Sequence, residues 1–434
     1  MKIQSPFNSR LNFMVKESIL YASIFLTGLC LAVVPVKSSA QSYELLIKGG
    51  HVIDIKNNLD GVMDIAVSEG KIAEVNSDIA VSTAAKVIDA SGLYVSPGFI
   101  DIHSHNFYGV NPHSEYSNGY NALRPDDQNF RSGATTVVDV GGSGWRDFVQ
   151  FKEQVIDRSK TRVLAFLNIV GHGMNGHPWE QNLNDMDPKM TSLVVRRYPE
   201  IVGVKLAHYS GHDWEPVDRL IEAGTKAGVP VMVDFGSANP PLSLATLVME
   251  KFRPGDIYTH MYGGGGSGRE AVVDENFQLR PEMLQAQQRG VIFDVGHGGA
   301  SFFYSVAIPA IKQGLLPNTI STDAHVRSSA SGMKDMANVM SKFLNLGMSL
   351  KQVVEASTWK PATVIQQDGL GHLSVGAEAD ITIFQVRKGE FGFIDRTGGD
   401  KMIGDQKLET EVTIRAGKIV WDLNGRAEEA TVEF

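Results

Sequence analysis

Pro97-Gly98-Phe99-Ile100-Asp101-Ile102-His103-Ser104-His105 decides how this chain is read. An apolar run beginning at Phe99 ends in two histidines at alternate positions. Alternate residues of a strand share a face, so both imidazoles point into one mouth at the strand's C-terminal end. Working outward, further apolar runs follow at Thr136–Val140, Val163–Ile169, Ile201–Leu206, Val229–Phe235, Asp256–His260, Val291–Val295 and Thr319–Asp323. They recur about every 25 to 40 residues, the length of a strand–helix unit. The segments between them suit helices: Pro216 to Ala227 places Val217, Leu220 and Ile221 on one face. Eight such units predict an α/β chain with a (β/α)8 TIM-type barrel over residues 97–368. A doubly wound open sheet is the competing architecture, but no Gly-x-Gly-x-x-Gly turn follows the first strand.

Both ends of the chain have a different texture. Tyr43–Lys48, His51–Asp54, Asp64–Ser68, Lys71–Val75 and Lys86–Asp89 read as short strands, with a hairpin turn at Ser68-Glu69-Gly70-Lys71. Ala379–Gln385, Glu411–Arg415 and Lys418–Trp421 read the same way. Residues 41–96 and 369–434 are therefore expected to form one small β-sandwich domain built from both termini. Residues 1–40 are expected to be a signal peptide: Lys2, Arg10 and Lys16 precede an apolar run from Ile19 to Val34, and Ser38-Ser39-Ala40 follows. An uncleaved anchor is the alternative, though the run is short for a bilayer span. Cys30, the single cysteine, lies inside this segment, so cleavage after Ala40 leaves no thiol chemistry. The segment holds four basic residues and one acidic residue, so its removal takes the net charge from −9 to −12. An acidic exported chain without a basic patch argues against nucleic-acid partners and against stable membrane insertion after cleavage.

Barrel chemistry gathers at the C-terminal strand ends, and five of the eight expected runs end in a potential metal ligand. These are His103 and His105, Lys205, Asp234, His260, and Asp323 followed by Ala324 and His325. Lys205 is the odd one, because a cation inside a buried run must be paired or chemically changed.

The first-strand stretch resembles the signature of the amidohydrolase superfamily. Gly203-Val204-Lys205 is similar to that superfamily's fourth-strand lysine, which becomes carbamylated and bridges two metals. Thr259-His260 and Ile320-Ser321-Thr322-Asp323-Ala324-His325 resemble its sixth- and eighth-strand segments, and Trp359-Lys360-Pro361-Ala362 its exit into the small β-domain. With Phe293-Asp294-Val295-Gly296-His297-Gly298, the nearest branch is the dihydroorotase-like amidohydrolase/deacetylase group, over residues 43–425. The resemblance implies two divalent metal ions, zinc above all, and carbon dioxide as the source of a carbamate on Lys205. It places His103, His105, Lys205 and Asp323 around one ion, and the carbamate, His260 and the fifth-strand residue around the other. Asp323 then becomes the catalytic acid–base, working with a metal-activated hydroxide on an amide, cyclic amide or acyl ester.

One departure stands out. The fifth-strand ligand is usually a histidine, and here it is Asp234. A carboxylate can still bind zinc, or the second ion is lost, or His208 or His212 is recruited. His297, His172 and Tyr262 are candidates for substrate contact, and His177 and Arg327 are further candidates. The glycine run after Tyr262 reads as a flap or surface loop, since it lacks the lysine of a phosphate-binding loop. The resulting expectation is a periplasmic metallohydrolase of a small-molecule substrate, homo-oligomeric as such barrels commonly are. The alternatives are a mononuclear deaminase on the same barrel and a binding protein without turnover.

Overall fold

The computed structural model describes residues 42–109, 121–235, 238–264 and 269–428. The expected signal peptide with Cys30, and most of the glycine run after Tyr262, lie outside the described residues.

Seven of the eight expected runs form a curled parallel sheet whose neighbours follow chain order. The strands are Phe99–Ser104, Ala134–Gly144, Arg162–Asn168, Ile201–Ala207, Val231–Asp234, Ile257–Tyr258 and Ile292–Phe293. The eighth run, Thr319–Asp323, is not a regular strand, yet it occupies the eighth place. Parallel bridges Asp294↔Thr319 and Ser104↔Ala324 tie it to the seventh strand and back to the first. The run keeps backbone bonds on its seventh-strand side, with the Val295 amide donating to Thr319 O and the His297 amide to Ser321 O. The Thr322 amide, however, donates to the Asp101 side chain at 3.0 Å, and the Thr319 and Ser321 hydroxyls hold Asp294 at 2.6 and 2.7 Å.

The interior is filled by Ile100 and Ile102, Val138 and Val140, and Leu164 and Phe166 from the first three strands, and by Val202, Met232, Ile257 and Ile292 from the next four. They pack with Ala362, Val364 and Ile365 on and beside the helix Trp359–Val364. Helices cover the outside. Glu215–Ala227 has proline in its first turn and ends at Gly228, whose φ of 76° lets the chain leave the helix. It buries Val217, Leu220 and Ala223. Each large side chain contributes about 1.5–3 kcal/mol by leaving water, so Leu220→Ala would cost about 2–5 kcal/mol.

The two chain ends share a second sheet of eight strands. Tyr43–Asp54, Leu59–Ser68, Lys71–Asn76, Ala84–Asp89 and Tyr94–Pro97 come from the N-terminal side, and Ile381–Ile394, Lys401–Arg415 and Lys418–Asp422 from the C-terminal side. The junction is antiparallel pairing of Tyr94–Pro97 with Ile381–Phe384. The expected hairpin turn is present: Glu69 and Gly70 both have positive φ, 51° and 73°, as a two-residue primed turn requires. Two expectations change. Tyr43–Lys48 and His51–Asp54 are one strand with a bulge between Ile47 and Gly50, because Gly49 at φ 72° absorbs the extra residue. The C-terminal strands are longer than their apolar runs, since Ile381–Ile394 and Lys401–Arg415 continue as a hairpin arm. Its outer part is exposed and charged, so no alternation marks it in the sequence. Among the described residues, no helix is long and apolar enough to cross a membrane.

Candidate metal centre

Strand order dictates which side chains meet. The eighth segment runs beside the first strand, with the His105 amide donating to Ala324 O at 2.9 Å. That pairing brings His105 Nε2 to 2.9 Å from Asp323 Oδ1 and His103 Nε2 to 3.6 Å from the same oxygen. Ligand atoms of these three buried residues lie within 4.8 Å of one another, a spacing at which one ion could be held. Glycines make the room. A Cβ on Gly298 would lie 2.4 Å from Asp323 Oδ2, and one on Gly296 would lie 3.0 Å from His103 Nδ1.

Hydrogen bonds then fix which nitrogen each imidazole presents. Thr259 Oγ1 donates to Asp294 Oδ2 at 2.7 Å, so it accepts from His103 Nδ1 at 2.8 Å. His103 therefore turns its unprotonated Nε2 toward Asp323. At His260, Nδ1 lies 2.5 Å from the carbonyl of Gly296, which can only accept. Its Nε2 faces Asp234 Oδ2 at 3.2 Å. Metal-binding histidines are commonly held in this way, by an acceptor on the far nitrogen.

Charge in the site follows burial. Desolvation, with Lys205 nearby, pushes the His103 imidazole down to about 3, which keeps it neutral. Burial alone would raise Asp323, but the hydrogen bond from His105 and the neighbouring imidazoles outweigh it and hold the carboxyl far below the ordinary range. Asp294 is likewise lowered against its burial by its contact with His103 and its hydroxyl donors. Beneath them, Asp101 is pushed up to about 7 by desolvation and takes hydrogen bonds from Thr322 and the His103 amide.

Lys205 is fully buried on the fourth strand. Its Nζ has a thioether, Met232 Sδ, as its hydrogen-bond partner at 3.5 Å. Desolvation lowers its pKa, opposed by Asp234, Asp323 and Asp294. An ammonium group in that setting is costly, and a neutral amine is not. Gly141, at φ 87°, leaves the space, since a Cβ there would sit 2.9 Å from Lys205 Cγ.

Asp234 closes the fifth strand. Its Oδ1 pairs with Arg269 at 2.5 Å, and its Oδ2 faces His260 and, at 3.6 Å, His208 Nε2. Desolvation opposes ionisation there, yet Arg269 and His260 hold the carboxyl well below its usual range. Sequence reasoning quoted Thr259, Asp294, Gly296 and Gly298 only as parts of the sixth- and seventh-strand segments and gave them no role of their own, and it did not single out Gly141 or Arg269.

The three substrate-contact candidates are placed differently. His297 is fully buried and stacked on Phe302 at 4.6 Å between ring centres. Its Nδ1 donates to Gly298 O, and its Nε2 accepts from Lys342 at 2.6 Å, so packing uses both nitrogens. Tyr262 is also in the core, donating to Leu315 O at 2.9 Å. Both side chains pack in the wall, and a strand-end position does not say on which side of the wall a side chain packs. His172 is partly exposed on the loop after the third strand, bonded to Asp185 at 2.7 Å and packed on Trp179. His212 is exposed.

The chain resembles proteins of known kind over most of its length. Residues 305–420 match the model of the amidohydrolase family. A deacetylase of Agrobacterium fabrum is 35% identical over 338 residues, covering 76% of this chain and 80% of that protein. Among solved structures, an adenine deaminase superposes with a TM-score of 0.78 at 28% identity, over 88% of this chain and 100% of that one. A dihydroorotase superposes with a TM-score of 0.76 at 30% identity, over 87% and 99%.

Proposed function

Since the chain belongs to the amidohydrolase superfamily, in its dihydroorotase-like branch, and is a hydrolase of carbon–nitrogen bonds, we propose that it is an exported, metal-dependent deacetylase or cyclic-amide hydrolase of a small molecule. The observation that carries this reading is the buried Lys205 amine, with Asp234 and Asp323 both acting on it. A neutral amine adds carbon dioxide, giving a carbamate and one released proton, and so turns an unfavourable buried cation into an anion that can bridge metals. The donor set fits divalent zinc: imidazole nitrogens presented by locked rings, and ionised carboxylates. His103, His105, Asp323 and the modified Lys205 would hold one ion, and the modified Lys205, Asp234 and His260 a second. When bound, such ions polarise a carbonyl and make water acidic near neutral pH.

The chain's own groups supply the rest. Asp323, held ionised, accepts the proton of the attacking water at its carboxylate and returns it to the leaving nitrogen. His103, kept neutral by burial, stays a donor of electrons instead of competing for that proton. The Asp294–Thr259 relay fixes the His103 ring throughout. Export belongs to the same reading and is supported by the basic, apolar and small-residue order of residues 1–40; a homo-oligomer is supported by the family resemblance.

The test is a panel of N-acetylated small acids and amines, cyclic amides and nucleobases, assayed for acetate, ring-opened product and ammonia. Acetate or ring opening, abolished by a chelator and restored by zinc with bicarbonate, is the expected result. Ammonia from a nucleobase alone would replace this reading with a deaminase.

A further inference from the structure

We propose that His208 is a ligand of the second metal ion, supplying the imidazole that the fifth strand lacks. The inference rests on the metal-dependent reading above. Three imidazoles around this mouth share one arrangement. His103 gives Nδ1 to Thr259, His260 gives Nδ1 to a carbonyl, and His208 Nδ1 lies 2.9 Å from Glu180 Oε2. In each case the acceptor fixes the proton on Nδ1 and turns Nε2 inward. For His208 that nitrogen lies 3.6 Å from Asp234 Oδ2, the oxygen that His260 Nε2 approaches to 3.2 Å. One carboxylate oxygen therefore stands between two inward-facing imidazoles, while Arg269 occupies the other oxygen.

The support behind His208 is built, not incidental. Glu180 is buried, and its second oxygen accepts from the Gly176 amide at 3.1 Å, so the carboxylate cannot swing away. Gln181 pins the backbone on both sides: its Nε2 donates to His208 O at 2.8 Å, and its Oε1 accepts from the Ser210 amide at 2.9 Å. His208 also has a left-handed backbone, φ 55°, as do His260 at 58° and Asp323 at 51°. Such conformations cost a non-glycine residue about 1–3 kcal/mol and gather where a side chain must be aimed. By contrast, His297 meets Lys342 with its Nε2 and is thereby withdrawn from any ion.

The experiment titrates chelator-stripped protein with zinc in bicarbonate buffer, against a chromophoric competitor, with total metal measured per chain. The wild type is expected to take two equivalents. His208→Ala is expected to keep the first equivalent at wild-type affinity and to lose the second, whereas His212→Ala keeps both. Glu180→Gln retains the imidazole but weakens its hold, and should loosen only the second equivalent, by roughly 10- to 100-fold. It serves where His208→Ala fails to fold. A second equivalent bound with wild-type affinity by His208→Ala overturns the proposal, and so does a wild type that binds one ion only. A wild type that binds none sinks the metallohydrolase reading itself, so the two failures are distinguishable.

Discussion

The two halves of the proposed metal centre are assembled by different means. His103, His105 and Asp323 come from hydrogen-bonded neighbours, and the pairing of first strand and eighth segment alone brings their donors within 4.8 Å. Asp234, His260 and His208 come from the fifth strand, the end of the sixth and the loop after the fourth, and each needs a separate support: Arg269, the Gly296 carbonyl and Glu180. The sheet delivers one half as a consequence of its topology. Buried acceptors deliver the other, one side chain at a time. The first half should therefore depend mainly on its own donors and on the glycines packed against them, while the second should respond to more distant residues that never touch an ion.

Removing the donor that is also the proposed proton carrier is the largest perturbation. On the proposed reading Asp323→Asn deletes both a ligand oxygen and the proton carrier, and should lower kcat by about 10²–10⁴-fold or more, the range of lost acid–base catalysis; steady-state kinetics with the acetate assay would check it. A residual rate within tenfold of the wild type would move the proton transfer elsewhere. Lys205→Ala acts on both halves at once. It should empty the site of metal and activity, and small carboxylic acids should restore part of each by filling the space of the carbamate. Unchanged metal content in that variant would remove the carbamate from the account.

The pH dependence of the metal-free protein probes the first half without mutation. His103 is held down to about 3 and His325 down to about 4, both chiefly by desolvation, against an ordinary value near 6.5. Between those limits the unfolded chain binds protons that the folded chain refuses, so stability rises with pH. The contribution is complete above about pH 6.5 and is lost progressively as the pH falls toward 4. At about 1.4 kcal/mol per pH unit per group the loss is of order several kcal/mol. Denaturant titrations at pH 7 and pH 5 should show it, and equal midpoints would mean that these imidazoles are not neutral in the fold.

The same contrast explains what could be read in the sequence. His103, His105, Lys205, His260 and Asp323 are legible because each ends or interrupts an apolar run, and the parallel sheet follows from the spacing of those runs. The irregularity of the eighth run is not legible, because it involves side chains outside the run: the Thr322 amide donates to Asp101, and the Thr319 and Ser321 hydroxyls donate to Asp294. Glu180 and His208 are 28 positions apart on two loops, and nothing local connects them until the loops fold together. Arg269 is equally remote from Asp234 in the chain. Tyr262 and His297 are read from their places beside strand ends, which do not distinguish a side chain facing the mouth from one packed in the wall.

Glycine substitutions test how tightly the first half is walled. Gly298 and Gly228 both have positive φ, 59° and 76°, but a Cβ on Gly298 meets Asp323 Oδ2 at 2.4 Å while one on Gly228 meets nothing within 4 Å. Gly228→Ala should cost about 1 kcal/mol through its backbone alone. Gly298→Ala should cost about that much in stability too, but should also displace the carboxylate and weaken the first metal equivalent. Equal behaviour of the two variants in metal titrations would show that Asp323 has room to move.

Tyr262→Phe is the smallest change and separates wall from mouth. Among the described residues its hydroxyl donates to a backbone carbonyl, Leu315 O, and its ring packs edge-on against Phe302 at 5.8 Å. Phenylalanine keeps the ring and leaves one buried acceptor short of its donor, which costs about 1–3 kcal/mol at most. The variant should therefore melt lower with kcat and KM unchanged. A residue that touched substrate would show the reverse, a raised KM with stability intact, because a hydroxyl facing solvent in the empty site contributes little to the fold. The sign of that split decides whether the sixth-strand exit belongs to the centre or to the shell around it.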